Sequence, residues 1–311
     1  MLYKKSHEEF DKKLFLNPSK EYRGAPFWAW NSRLNTEQLL KQIPQFRDMG
    51  MGGAHIHCRV GLDTPYLSEE FFQNVKSCQE EFRKEDMLCW LYDEDRWPSG
   101  TAGGYVTKEK KYRACFLVIE PYNYSDKKED KYMAAAQAVR SEERILLGFF
   151  EVILDQNGYL KQYRWTDPYH SEQENLWQVW MEISGDNPWF NNQAYVNTMD
   201  KEAVNRFIEL THEQYYKRLG NEFGKSIPAI FTDEPQTVHK EFLRTPFEKK
   251  PIVFPYTVNL EESFQSEYGD SLLKHLPELV WESSGKVISK IRYLSITDMY
   301  AKDFQKHFVT I

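Results

Sequence analysis

The sequence predicts an α/β protein built on the first half of a TIM-type (β/α) barrel, with an inserted all-β module. Three observations lead to this prediction. Residues 1–111 alternate short apolar runs with amphipathic helical stretches, residues 112–198 change to a period of two, and helical spacing returns after residue 199. We therefore divide the chain into a first barrel segment (1–111), a β-rich insertion (112–198) and a barrel continuation (199–311).

The first segment has the pattern strand, helix, strand, helix, strand. Asn35 is a good helix N-cap with Gln38 three residues later, and Gly50 ends that helix. Ser68 caps the second helix, while Pro44 inside the first predicts a kink. The predicted strands cover residues 26–31, 53–60 and 88–92.

The middle segment alternates apolar and polar residues on both sides of Asn157-Gly158, a dipeptide typical of a tight β-hairpin. A helix capped by Asp200 then reaches Leu219, and a strand over 227–232 follows. Amphipathic stretches at about 260–275 and 289–307 complete the chain. Four parallel strands are half of a closed barrel's eight. We therefore expect a truncated barrel that either self-associates or lacks its C-terminal half.

Charge and composition exclude several classes of protein. The 47 acidic and 40 basic residues give a net charge of -7 with no basic block, so we expect no nucleic-acid partner. Mean hydropathy is -0.69 and no apolar run reaches about 18 residues, so we expect no membrane-spanning segment. The start of the chain has no apolar signal core, and we expect a cytoplasmic protein. The four cysteines lack metal-site spacing, which predicts reduced, mostly buried thiols.

Carboxylates follow two of the predicted parallel strands, as Asp93-Glu94-Asp95 and Asp233-Glu234. The C-terminal ends of barrel strands form the active-site face, so we expect the two clusters to lie close together. Paired acids are what glycoside hydrolysis requires, one to protonate the leaving oxygen and one to attack or activate water. The alternative is that these acids only cap helices or bind backbone amides.

Pro235 favours an extended backbone at Glu234. In strand alternation, Thr232 and Glu234 would share one face, and Phe231 and Asp233 the other. Only one of the two acids would then point into the barrel mouth. We predict that Glu234 is the principal catalytic carboxylate and Asp233 the second candidate.

Substrate contacts are predicted from aromatic and polar residues near these acids. Trp97 could stack on a sugar, and the glycine-rich run 98–104 could let backbone approach a ligand, although a plain tight turn would also explain it. The run lacks the Gly-Lys-Ser/Thr ending of a phosphate loop. The predicted substrate-binding set contains Asp93, Glu94, Asp95 and Trp97 with Trp28, Trp30 and Asn31. For the two tryptophans of the first strand, filling the core is an equal alternative.

His55 and His57 share one face of a predicted strand and could together hold a metal ion. The other histidines do not stand at clear strand ends, so further ligands are missing. We therefore predict no metal, and expect both histidines to hydrogen-bond substrate hydroxyls or other side chains, with Arg59 nearby.

Four segments together resemble a known family. They are the run Pro26–Asn31, the Gly52-Gly53 strand with its following Tyr66, the stretch from Tyr92 to Gly104, and Phe231–Pro235. They resemble glycoside hydrolase family 106, the α-L-rhamnosidase-like proteins, from about residue 24 to the end.

The resemblance implies a (β/α)₈ barrel with accessory β domains, strand-end carboxylates that cleave glycosidic bonds, and in some members calcium. It implies that Glu234 is catalytic and that residues 93–97 bind substrate. Such proteins continue well past this point, where a second catalytic carboxylate would be expected.

We therefore predict a carbohydrate-active glycoside hydrolase, α-L-rhamnosidase-like, with a carbohydrate substrate and no cofactor beyond the calcium that the resemblance allows. The first alternative is a non-catalytic carbohydrate-binding or structural fragment. The second is a metal-dependent hydrolase that uses His55 and His57.

Overall fold

A computed structural model describes residues 10–124 and 136–283 of the chain. Those residues form two compact units and contain nine strands and seven α-helices. The strands are β1 (Phe27–Trp30), β2 (Gly53–Cys58), β3 (Leu88–Tyr92), β4 (Cys115–Pro121), β5 (Arg144–Leu154), β6 (Leu160–Thr166), β7 (Leu176–Ile183), β8 (Ile230–Phe231) and β9 (Ile252–Tyr256). The helices are α1 (Lys12–Leu16), α2 (Thr36–Asp48), α3 (Glu69–Lys84), α4 (Lys201–Leu210), α5 (His212–Leu219), α6 (Leu260–Tyr268) and α7 (Pro277–Val280).

The first unit comprises residues 10–105 and 206–235 and has a parallel sheet in the order β1, β2, β3, β8. Helices α2 and α3 connect its first three strands, which confirms the predicted β-α-β-α-β pattern. The Asn35 side chain accepts the Gln38 N–H at 3.0 Å at the start of α2, and Ser68 caps α3. Helix α2 continues through Pro44 to Asp48.

The second unit comprises residues 106–124, 136–205 and 236–283 and has an antiparallel sheet in the order β6, β5, β7, β4, β9. The predicted β5–β6 hairpin is present, and Gly158 in its turn has a φ of +86°. Parallel and antiparallel sheets together make this a mixed α/β fold. The four cysteines are buried and unpaired.

The structure differs from the predicted division in its last segment. Residues 236–283 were expected to continue the barrel, but β9 pairs with β4 of the antiparallel sheet. Leu260 and Phe264 of α6 share the apolar core of that sheet. The predicted helix up to Leu219 is broken at Thr211, and the strand predicted over 227–232 is limited to β8. The amphipathic stretch at 289–307 lies outside the described residues.

Within residues 10–124 and 136–283, no helix combines the length and the apolar character that crossing a membrane requires.

Candidate active site

The two faces of the parallel sheet carry different side chains. Trp28 and Trp30 face helices α2 and α3, where Trp30 packs against Phe71 and Trp28 donates its Nε1–H to Gln42 Oε1 at 2.9 Å. These two tryptophans therefore fill the core, and the prediction that they stack on a sugar is wrong. Asn31 follows β1 and is exposed.

The opposite face forms a layer of rings that we call the aromatic face. His57 stacks on Tyr92 with ring centroids 4.0 Å apart, and His55 stacks on Trp90 at 5.1 Å. Phe27 contacts both imidazoles and is 55% exposed. The face consists of Phe27, His55, His57, Trp90, Tyr92 and Phe231.

Both histidines on this face are neutral, and their hydrogen bonds to carbonyl oxygens identify the tautomer of each ring. His55 Nδ1 lies 3.1 Å from the Ala25 carbonyl, and His57 Nδ1 lies 3.1 Å from the Cys58 carbonyl. A carbonyl only accepts hydrogen bonds, so each Nδ1 carries the hydrogen and each Nε2 presents a lone pair. Burial lowers the pKa of both rings, that of His57 to about 4.

His57 Nε2 is a buried hydrogen-bond acceptor that receives no donor from the described residues. The side chain is 1% exposed, and this nitrogen has no hydrogen-bond partner among the described residues. The closest acidic oxygen is Asp233 Oδ2 at 4.0 Å, too far for a direct bond. Arg59 lies near enough for its charge to lower the pKa of His57 and to oppose the rise in the pKa of Asp233. A hydroxyl donor would satisfy this nitrogen.

Asp93 follows β3 and is completely buried. Its Oδ1 accepts a hydrogen bond from Ser99 Oγ and its Oδ2 accepts one from Thr232 Oγ1, both at 2.6 Å. His212 Nε2 from α5 lies 3.4 Å from Oδ2. Burial raises the pKa of Asp93 to about 7, although both hydroxyl bonds oppose the rise.

Glu94 is also fully buried, but most of its partners are backbone amides. The Thr101 hydroxyl also donates to Oε2, at 3.1 Å. Oε2 accepts from the N–H groups of Gly100, Thr101 and Ala102 at 2.7–3.0 Å, and Oε1 accepts from that of Gly103 at 2.5 Å. Ala102 and the neighbouring glycines have positive φ, which turns these amides inward. The amides of the glycine-rich run therefore surround the Glu94 carboxylate. Glu94 holds this loop, and its predicted role in substrate contact is corrected to a structural one.

Asp95 is buried and pairs with Arg96, whose Nη2 lies 2.9 Å from Oδ2. Trp97 is partly exposed and donates its Nε1–H to Glu234 Oε2 at 3.1 Å. The loop after β3 therefore meets the carboxylates after β8 through this indole. Trp97, a predicted substrate-binding residue in this loop, is therefore in contact with an exposed acid.

Asp233 and Glu234, which we call the carboxylate turn, follow β8. The Asp233 N–H donates to Ser99 Oγ at 2.9 Å, and the Ser99 N–H donates to the Asp233 carbonyl at 2.8 Å. These bonds and the Thr232 bond bring together the two acid clusters that the sequence placed at strand ends. Burial, followed by the charge of Glu234, raises the pKa of Asp233, whereas the Glu234 side chain is exposed.

The prediction of an extended backbone at Glu234 is wrong. Its φ is +43°, in the left-handed region that side chains other than glycine rarely adopt. The strand ends at Phe231, so the alternation argument for this residue no longer applies. The bonds between Ser99 and Asp233 and the Trp97 indole hold the chain in this turn. Strained residues of this kind cluster at functional sites.

The residues present do not fit a metal site. Calcium requires about six to eight oxygen ligands. Both oxygens of Glu94 already face N–H donors, which would repel a cation. No group of three or more His, Cys, Asp or Glu side chains in the described parts of the chain is arranged to hold a metal ion.

Sequence reasoning missed three residues that surround Asp93: Ser99, His212 and Thr232. Ser99 lies six residues after Asp93, inside the run that was considered only for its glycines and Trp97. His212 had no usable signal, because it stands on a helix far along the chain from its partner.

Comparisons with solved structures show a similarity in fold. No family model and no curated protein sequence matches the chain. Among solved structures, the fold is similar to that of a rhamnosidase from Novosphingobium sp. PP1Y, with a TM-score of 0.54 over 95% of this chain and 12% sequence identity. The chain spans 45% of the length of that structure. At this identity the similarity concerns the fold, a mixed α/β architecture like that of the rhamnosidase.

Proposed function

We propose that this chain carries the catalytic region of a glycoside hydrolase, with an α-L-rhamnoside as the first substrate to test. The observation that carries the proposal is the strained Glu234, an exposed carboxylate held by Trp97 beside the half-buried Asp233. The fold similarity to a rhamnosidase supports it. The sheet would then belong to a TIM-type barrel whose interior is the aromatic face.

In this proposal Glu234 donates a proton to the leaving glycosidic oxygen as its bond to the anomeric carbon breaks. Asp233, the second carboxylate, attacks that carbon or activates the water that does. Trp97 orients Glu234 through its indole N–H. His57 Nε2 accepts a hydrogen bond from a sugar hydroxyl, because that nitrogen is a buried acceptor without a partner. Arg59 contributes positive charge near both Asp233 and His57.

The test is Glu234→Gln, which keeps the shape of the side chain and removes its proton. We expect hydrolysis of 4-nitrophenyl α-L-rhamnoside to fall by about 10²- to 10⁴-fold. Loss of a general acid matters less when the leaving group is already acidic, so a 2,4-dinitrophenyl glycoside should lose much less activity. Glu262→Gln, an exposed glutamate on α6, is the matched control. Equal activity of Glu234→Gln and the control would exclude Glu234 from the mechanism.

The second candidate is a non-catalytic carbohydrate-binding protein. The Trp97 and Phe27 rings, both accessible to solvent, favour it, because such rings stack on sugars. Sugar binding followed by tryptophan fluorescence, retained in Glu234→Gln and lost in Trp97→Ala, without turnover of any aryl glycoside, would support this candidate against the hydrolase.

A further inference from the structure

The hydrogen bonds around His212 determine which of its nitrogens carries a hydrogen. Thr211 Oγ1 donates its single hydrogen to the Phe207 carbonyl at 2.7 Å. The same oxygen can then only accept from His212 Nδ1, which lies 2.9 Å away. Nδ1 is therefore protonated, and the lone pair of a neutral His212 lies on Nε2, facing Asp93 Oδ2 at 3.4 Å.

Two lone pairs that face each other at this distance inside a protein repel, so a proton between them is favoured. The pair therefore exists as a carboxylic acid beside a neutral imidazole or as a carboxylate beside an imidazolium. The Asp93 side chain is 0% exposed and that of His212 11% exposed, and either arrangement avoids burying a net charge. Burial raises the pKa of Asp93 to about 7 and lowers that of His212 to about 4, which favours the neutral arrangement.

The same carboxyl group is bonded to the chain that presents the carboxylate turn. Ser99 Oγ donates to Asp93 Oδ1 and accepts from the Asp233 N–H, and Thr232 Oγ1 donates to Asp93 Oδ2. Asp93 thus holds the two residues that immediately precede Glu234. Loss of the shared proton to solvent would leave the lone pairs of Asp93 Oδ2 and His212 Nε2 repelling each other. The Asp93 carboxylate would shift away from His212 and carry with it the Ser99 and Thr232 hydroxyls that donate to it.

We propose that Asp93 and His212 are positioning residues that share one buried proton and, through Ser99 and Thr232, hold the carboxylate turn in its active geometry. The positioning part rests on the proposed role of Glu234, whereas the shared proton does not. Neither side chain touches the substrate. Deprotonation of the pair near neutral pH displaces the turn from its active geometry and lowers activity on the alkaline side.

Several other titratable groups act on Asp93. Asp233 and Glu94 are the acids nearby, and burial raises the pKa of Glu94 to about 8. The phenols of Tyr66, Tyr92 and Tyr215 also surround it, and burial raises the pKa of each, so they stay neutral across the relevant range. Because Glu94 titrates close to Asp93, the test compares variants rather than one pH curve.

Nitrogen-15 NMR of the histidine rings tests the shared proton without any substrate. We expect His212 to be the Nδ1–H tautomer and to show a titration step near pH 7 that disappears in Asp93→Asn. Asp167→Asn is the matched control, because Asp167 pairs with His170 on the surface and should leave the His212 step unchanged. An unprotonated Nδ1, or a His212 step that survives in Asp93→Asn, would overturn the proposal. If Asp93→Asn does not fold, Thr211→Val removes the Nδ1 acceptor instead, and an unchanged His212 spectrum in that variant would equally overturn it.

The positioning role is tested on the Trp97 indole N–H resonance, which reports its bond to Glu234 in the absence of substrate. We expect this resonance to shift across pH 7 in the wild type and to lose that shift in Ser99→Ala. An active chain should also lose at least tenfold in kcat in Ser99→Ala with KM little changed, and the alkaline decline of its pH profile should disappear in Asp93→Asn. A Trp97 resonance that responds identically in wild type and Ser99→Ala would refute positioning. If positioning holds while Glu234→Gln remains fully active, only the catalytic assignment fails.

Discussion

Two fully buried carboxylates, one in each compact unit, have opposite surroundings. Glu182 on β7 accepts from Arg140 Nε and Nη2 at 2.6 and 2.7 Å and from Arg144 Nε at 3.0 Å. Among the described residues, Asp93 has two hydroxyl donors and one imidazole, and no arginine or lysine forms an ion pair with it. Both side chains are 0% exposed, so burial alone does not distinguish them.

The comparison shows that arginine partners determine the direction in which the pKa of a fully buried carboxyl group shifts. Burial acts to raise the pKa of Glu182, but the hydrogen bonds and charges of Arg140 and Arg144 outweigh it and lower that pKa below its usual value. Without such partners, burial raises the pKa of Asp93 to about 7. A buried carboxylate that is bonded to arginines stays charged and has a structural role. One that is bonded to hydroxyls can exchange a proton near neutral pH.

The largest expected effect is on stability at the paired acid. Glu182→Gln leaves Arg140 and Arg144 without their shared charge partner, so we expect the free energy of unfolding to fall by about 3–5 kcal/mol. Urea unfolding at pH 7 measures it, with the exposed Glu262→Gln as control. A loss below about 1 kcal/mol would mean that the arginines do not depend on Glu182.

The next effect is the pH dependence of stability at Asp93, the acid without an arginine partner. Folded Asp93 keeps its proton up to about pH 7, whereas the unfolded group loses it near pH 4. The folded state therefore binds more protons between these values, and Asp93 makes the protein less stable as pH rises, by up to about 1.4 kcal/mol per pH unit. His212 acts in the opposite sense below about pH 6.5, because its folded pKa is lowered.

The prediction therefore concerns the difference between Asp93→Asn and the wild type. We expect the variant to gain stability relative to the wild type from pH 4.5 to pH 7, measured by urea unfolding at half-unit intervals. Parallel stability curves would show that Asp93 is ionised throughout this range. Glu182 should have the opposite sign, because its stabilisation is lost as pH falls through its lowered pKa.

A smaller effect is expected from Thr232→Val, which removes one of the two hydroxyl donors to Asp93 at nearly constant volume. Hydrogen bonds to charged groups are stronger than those to neutral ones. We expect a cost of about 1–2 kcal/mol at pH 8, where Asp93 is ionised, and less at pH 5. Equal costs at both values would contradict a change of charge on Asp93.

The smallest effect is expected at an exposed pair. Arg33 Nη2 lies 2.7 Å from Glu70 Oε1, with side-chain exposures of 56% and 46%. Solvent screens such pairs, so Glu70→Gln should change the free energy of unfolding by less than about 0.5 kcal/mol, and less again in 0.5 M salt. A loss of stability near that of Glu182→Gln would show that burial does not account for the difference between the Glu70 and Glu182 ion pairs.

Local features of the fold followed from the sequence because they depend on neighbouring residues. Strand β3 has the predicted bounds, and Asn35 and Ser68 cap their helices as expected. Apolar periodicity and side-chain caps act within about a turn of helix, so a short window of sequence contains the necessary information.

Within the candidate site, the sequence determined the strand-end positions of Asp93 and Asp233, since parallel strands end at one edge of a sheet. Only the tertiary structure decided the chemistry of each acid. Glu94 accepts hydrogen bonds from the amides of its own loop, His212 on α5 lies beside Asp93, and Glu234 has a positive φ. These outcomes depend on contacts between residues far apart in the chain, and the pKa of a carboxyl group depends on burial and partners that such contacts create.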